Sequence, residues 1–171
     1  PLRATGWSHP IEAVDLDLDG ERIFRNMAKD WAGELTVHRG DALRWLEDRR
    51  DRCFDLIMED LSVRDRDLIT KPPVSYGRLP AEMHRHLAPH GVIVTNVLPV
   101  AGKSWRRLLV DLAGPHREAV LVTFEQWENR LLIVGPRLLD ARTVSRRLRA
   151  VLERLGSRQR KRMSVRAWYL E

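Results

Sequence analysis

Short runs of apolar residues alternate along this chain with stretches in which apolar positions recur every three or four residues. Ile11-Glu12-Ala13-Val14-Asp15-Leu16 is apolar and closes in acids, with Asp15, Asp17 and Asp19 on alternate positions. From Gly20 onward, Ile23, Met27 and Trp31 recur at spacings of four, which predicts a helix. Leu35–Arg39 reads as a strand that ends at Gly40-Asp41. Ala42–Arg50 then sets Leu43, Trp45 and Leu46 on a helical pattern. Cys53–Met58 is a strand of buried type, ending at Glu59-Asp60.

The chain then turns polar, and Pro72-Pro73 predict a loop. Leu79–Leu87 reads as a helix closed by Pro89 and Gly91. Gly91–Leu98 is the strongest strand pattern, and Ser104–Leu112 a helix ended by Gly114-Pro115. Ala119–Phe124 and Arg130–Val134 read as two strands, neighbours in an antiparallel pair. Asp140 is placed to cap a helix carrying Val144, Leu148, Val151, Leu152 and Leu155 as an apolar stripe up to Gly156. Val165–Leu170 is expected to add an edge strand or to close a homodimer.

Continuous apolar strands alternating with helices predict an α/β, Rossmann-like domain. Its sheet is expected to be mainly parallel, with helices on both faces, an antiparallel last strand pair and a basic C-terminal helix. Right-handed crossovers bring the strand C-termini to one edge, where such proteins bind ligands. Three strand ends close in aspartate there: Asp15 with Asp17, Asp41, and Asp60. Asp15 is suited to accept hydrogen bonds from the vicinal hydroxyls of a ribose, and Asp41, before small Ala42, an exocyclic amine. Asp60 is suited to orient or deprotonate an incoming amine. The competing reading makes each aspartate a helix cap or a solvated turn residue. Tyr76, in the proline loop near Asp60, either shapes a substrate pocket or packs on the loop.

Val14-Asp15-Leu16-Asp17, Gly40-Asp41-Ala42, Phe54–Asp60 and Leu87–Val92, in that order, resemble the class I S-adenosylmethionine-dependent methyltransferase fold. The likeness is greatest to its spermidine-synthase-like branch, which includes aminopropyltransferases and some protein methyltransferases, and it covers about residues 1–136. The resemblance implies S-adenosylmethionine as cofactor, held by Asp15, Asp17, Asp41 and Ala42. It also implies Asp60 at the reacting amine, which makes Tyr76 of the nearby loop the second candidate catalytic residue, and Asn96 at a position that is polar in some relatives. The family's first strand and glycine-rich loop would precede residue 1, and no Gly-x-Gly occurs in the sequence. Without that strand, two strands of the sheet are expected to lack a neighbour.

Polyamine synthases typically carry a further acid soon after the aspartate matched by Asp60; here that place holds Val63. A cationic polyamine needs paired carboxylates. The resemblance therefore points to methyl transfer, onto a small-molecule or protein acceptor, ahead of aminopropyl transfer. A non-catalytic interaction module is the third reading.

Composition changes the picture in two places. The net charge of +6 is concentrated beyond residue 136, where 11 Lys and Arg face 3 Asp and Glu. Residues 1–136 are near neutral, so the organisation expected is a globular domain over 1–136 and a basic helical tail over 137–171. Arg158, Arg160, Lys161 and Arg162 form a cationic cluster, which is either a solvated end or a contact for a polyanion.

One cysteine, Cys53, excludes an internal disulfide and fits a reducing, cytoplasmic compartment; it is expected in the core. No apolar run reaches the ~18–20 residues of a membrane span. No metal site is expected either. His84 and His86 stand about 200° apart on a helix, and no Cys/His cluster has zinc spacing.

Overall fold

The computed structural model describes residues 6–29, 33–65 and 68–169, with the side chains of Asp65 and Leu68 left aside. Trp31 and Leu170 lie outside the described residues. The chain forms two compact units, Pro1–Arg50 and Asp51–Glu171.

In the first unit, β1 (Ile11–Asp15) pairs in parallel with β2 (Leu35–Arg39), Asp15 opposite Arg39. Between them runs α1 (Asp19–Ala28), and after β2 comes α2 (Ala42–Glu47). The parallel ladder brings the C-terminal ends of β1 and β2 together, and Gly40 N–H donates to Asp15 O at 2.8 Å across that end. Packing is sparse. Among the described residues of this unit Leu46 is the buried apolar one, while Ile23, Phe24 and Met27 of α1 stand exposed.

The second unit is built on a five-stranded sheet in the order β3-β6-β8-β7-β9. Its strands are β3 (Phe54–Glu59), β6 (Leu87–Val97), β7 (Glu118–Phe124), β8 (Arg130–Val134) and β9 (Met163–Tyr169). β3 and β6 are parallel; the β6–β8, β8–β7 and β7–β9 ladders are antiparallel. The sheet is thus mixed rather than mainly parallel. The reason lies beyond β6: β8 returns directly beside it through a short turn from β7, and β9 adds to the far side of β7. Among the described residues β1 pairs with β2 alone and β3 with β6 alone.

Helices cover this sheet from two sides. α5 (Ala141–Arg154) lays Val144, Leu148 and Leu152 on Val120, Val122 and Met163. Arg130, on the opposite face, stacks on Trp105 of α4 (Trp105–Ala113). Asp140 caps α5, its Oδ1 accepting from Thr143 N–H at 2.9 Å, and that bond holds its carboxyl below the ordinary range. The segment from 137 on is therefore built into the second unit: α5 closes its core and β9 extends its sheet. The unit boundary falls at Arg50/Asp51.

Other expectations change in detail. The stretch read as a loop before Pro72 holds a small hairpin, β4 (Val63–Asp65) with β5 (Leu68–Thr70), followed by a 3₁₀ turn at Pro73–Tyr76. β-branched Val63, Ile69 and Thr70 favour extended backbone there. The next helix, α3 (Arg78–Arg85), ends early because Leu87 already pairs with Phe54. Pro89 then sits where the β3–β6 register breaks, a place where its missing N–H costs no ladder bond. Gly91 is required in this crossing, since a Cβ would lie 2.8 Å from Phe54 O. Cys53, expected in the core, is exposed just before β3. Arg158–Lys161, read as a loose cationic end, form a 3₁₀ turn in which Arg160 pairs with Glu153. No described helix is long and apolar enough to cross a membrane.

Candidate functional site

The aspartates at the strand ends fall into two groups, one in each unit. In the first unit the β1–β2 ladder gathers Asp15, Asp17, Asp41 and Ala42 at one sheet end. Each acid makes a local backbone bond there. Asp15 Oδ1 accepts from Asp17 N–H at 3.1 Å, and Asp17 Oδ1 from Asp19 N–H at 2.8 Å, shaping the turn into α1. Asp41 caps α2, its Oδ1 accepting from Arg44 N–H at 2.9 Å, with Ala42 as the first helical residue. The capping reading therefore holds for Asp41. One carboxylate oxygen does this work, and the Oδ2 atoms of Asp15 and Asp41 have no partner among the described residues. A cleft of about 590 Å³ opens beside this end, walled by Asp17, Arg22, Arg25 and Arg39.

In the second unit, Asp60 follows the end of β3 and faces Asn96 near the end of β6. Asn96 Nδ2 donates to Asp60 Oδ1 at 2.7 Å, and Asn129 Nδ2 donates to Asn96 Oδ1 at 2.7 Å. This relay runs from β3 across β6 to the residue before β8. It fixes the Asn96 amide orientation and, through it, the Asp60 carboxylate, with Oδ2 left toward solvent. Tyr76 is less available than its place in the loop suggests. Its hydroxyl donates to Leu98 O at 3.0 Å, and burial first, then the charge of Glu59, push its pKa above 10. Tyr76 is a neutral phenol near neutral pH. Lys103 Nζ lies 5.7 Å over its ring.

The sequence reading missed the residue beside Asp60. Glu59 is buried, and its carboxylate is fully engaged. Lys71 Nζ donates to Oε1 at 2.8 Å and to Oε2 at 2.7 Å, while Ser75 Oγ and Leu61 N–H each donate to Oε1 at 3.0 Å. Both ion-pair side chains are almost completely enclosed. This pair clamps the β4–β5 hairpin and the 3₁₀ turn against the end of β3. The available signal was a lone lysine directly before two prolines, twelve residues beyond an acid at the end of an apolar strand. His84 and His86 serve structure: His86 Nδ1 bonds Arg52 O at 2.8 Å, and His84 packs by His116. Among the described residues no group of His, Cys, Asp and Glu is arranged to hold a metal ion.

No family model matches the sequence, and no curated protein does. Solved structures do. The chain overlays human methyltransferase-like protein 13, solved in complex with SAH, with a TM-score of 0.60 at 20% identity, over 85% of this chain and 70% of that one. The fold is that of a class I methyltransferase. A probable spermidine synthase from Corynebacterium glutamicum matches equally well in shape, with a TM-score of 0.60 at 18% identity, over 92% of this chain and 57% of that one. SMU.776, also solved with SAH, matches with a TM-score of 0.56 at 15% identity. This chain spans 40% of the length of SMU.776. A methyltransferase and a probable spermidine synthase thus both share this fold.

Proposed function

We propose that the chain is a methyltransferase that uses S-adenosylmethionine, with Asp60 as the residue that orients the acceptor. The observation that carries this reading is the Asp60–Asn96–Asn129 relay, which holds one carboxylate at the C-terminal edge of the parallel strand pair in a methyltransferase fold. The donor set suits the cofactor's nucleoside. Asp15 keeps an oxygen for ribose hydroxyls, and Asp41 keeps one for the adenine amine. Asp17 shapes the turn beside them, and Ala42 leaves room at the adenine edge. When bound, the sulfonium supplies the transferable methyl carbon. The protein's own work is positioning and exclusion of water. Asp60 Oδ2 accepts a hydrogen bond from the acceptor's N–H or O–H, which turns the lone pair toward the methyl group. Tyr76 walls the acceptor side.

The same geometry favours methyl transfer over aminopropyl transfer. A polyamine needs two carboxylates, and the one nearest Asp60 in sequence, Glu59, is already neutralised by Lys71. The acceptor is accordingly a group with one nucleophilic centre, on a small molecule or a protein. A basic surface at Arg158, Arg160, Lys161 and Arg162 offers a second contact to a polyanionic acceptor, and the exposed face of β9 a place for a second copy.

Calorimetric titration of the full chain with S-adenosylmethionine and S-adenosylhomocysteine tests the reading. Micromolar affinity that falls in Asp15→Ala and Asp41→Ala is expected. A folded chain that binds neither compound is an interaction module instead, and the proposal is then wrong.

A further inference from the structure

A second cleft, of about 520 Å³, opens at the start of β8, with Trp127 and Asn129 in its wall. The sheet register builds it. Arg130 lies opposite Thr123, and Thr123 opposite Ser164, while Arg166 follows two residues along β9 on the same face. One face therefore presents two guanidiniums and two hydroxyls within about 10 Å, the width of two strand spacings.

The charges in this cleft are not neutralised. Arg130 stacks 3.9 Å from the centroid of Trp105, and Arg166 lies 5.5 Å from that of Trp168. Neither has a carboxylate partner among the described residues. Glu128, the acid in the lining, is exposed and pairs with neither. Burial and the nearby Arg166 charge both pull the Arg130 pKa down, the mark of a cation lacking its counter-charge. Trp127 rests against Phe124 with ring centroids 5.1 Å apart and keeps half of its surface (51%) open. Two unpaired guanidiniums favour a tetrahedral anion, which takes their fork geometry. An open indole beside them favours a planar ring.

We propose that this cleft binds a nucleoside phosphate, with the phosphate between Arg130 and Arg166, hydrogen-bonded by Thr123 and Ser164, and the base stacked on Trp127. The inference stands on the cleft alone and not on methyl transfer. Asn129 joins it to the Asp60 relay, so an occupant would sit beside the candidate acceptor position. A free mononucleotide and a nucleotide within a single strand share this chemistry.

Calorimetry on the full chain with uridine 5′-monophosphate, uridine and a short oligouridylate separates them. A pyrimidine is chosen because the proposed cofactor site is built for adenine. Uridine monophosphate is expected to bind at least about tenfold more tightly than uridine. Arg130→Gln and Arg166→Gln should each weaken it about tenfold, and Trp127→Ala about 5- to 100-fold. Arg166→Gln leaves the Arg130–Trp105 stack in place, so an unchanged melting temperature keeps its result readable if Arg130→Gln misfolds. Tighter, salt-dependent binding of the oligonucleotide identifies a strand as the source; equal affinity identifies the free nucleotide. The proposal is overturned by no binding of either phosphate at millimolar concentration. It is equally overturned by uridine binding as well as its monophosphate, by Arg166→Gln binding like the parent, or by displacement with S-adenosylhomocysteine.

Discussion

The aspartates at the strand ends stand in two units whose packing differs sharply. Residues 51–171 surround a five-stranded sheet whose Val97, Leu109, Leu121 and Leu132 are wholly enclosed. Residues 1–50 hold two parallel strands, with Leu46 buried and Met27 exposed at 81%. A two-stranded sheet is marginal by itself, and parallel pairs ordinarily need cover on both faces. The acids proposed for the nucleoside stand on the thinly packed unit, and the acid proposed for the acceptor on the well-packed one. On the proposed reading, cofactor affinity should therefore include a cost of ordering the β1–β2 end, whereas the Asn96 amide already holds the Asp60 carboxylate.

Hydrogen exchange on the full chain tests this contrast most directly. Amides of β7 and β8 should exchange through global opening, and those of β1 and β2 through local opening several orders of magnitude faster. Saturating S-adenosylhomocysteine should slow the β1–β2 amides selectively. Equal protection in the two units would remove the contrast altogether.

The next test sharpens it from the strong side. Lys71→Ala leaves the Glu59 carboxylate buried without its cation and should cost about 3–5 kcal/mol, read by urea unfolding. Glu59→Leu with Lys71→Met replaces the pair by apolar groups and should recover most of that loss. On α5, Leu148→Asp and Leu152→Asp should cost several kcal/mol, because both residues seal the β7–β9 face. By contrast, neutralising Arg158, Lys161 and Arg162, which are exposed, should leave the midpoint nearly unchanged. A stable Lys71→Ala protein would mean that the clamp behind Asp60 is ornamental.

The same contrast explains which features the sequence disclosed. Strand ends closing in Asp15, Asp41 and Asp60 were legible, since a continuous apolar run followed by an acid marks a strand C-terminus whatever its partners. The α5 stripe was legible for the analogous reason at helical spacing. Pairing was not. Whether β8 lies antiparallel beside β6 depends on contacts between residues more than 30 apart, which periodicity does not encode. The Glu59–Lys71 pair was hidden likewise: a charge at a strand end reads as solvent-facing until a distant loop folds back to bury it. Cys53 failed in the opposite direction, a residue of buried type left outside because its strand begins one position later.

Asp41 tests the weaker unit with a smaller effect. Asp41→Ala removes the α2 cap and should lower stability by about 1 kcal/mol. It should also weaken nucleoside binding by about 1–3 kcal/mol, or roughly 5- to 150-fold. Asp41→Asn keeps a capping oxygen, so it should restore stability but not affinity for the adenine amine if the second oxygen must be a carboxylate. Parental affinity in both variants would make Asp41 a cap and nothing more.

The smallest effect concerns acid. His84 and His116 lie with ring centroids 5.0 Å apart in the second unit, and burial above all lowers the pKa of each below the ordinary 6.5. Folded, each therefore binds fewer protons than it does unfolded between its lowered value and 6.5. Stability rises with pH across that window and is lost as pH falls through it. Both rings are partly solvated, so the melting temperature should drop by no more than a few degrees between neutral and mildly acidic pH. Gly114 holds this corner at φ +59°, where a Cβ would meet His84 Nε2 at 2.4 Å. Gly114→Ala should thus destabilise by displacing the ring. His84→Gln should flatten the pH dependence while leaving hydrogen exchange at β1 and β2 unaltered. A pH profile that stays steep in His84→Gln would assign the acid sensitivity to other groups.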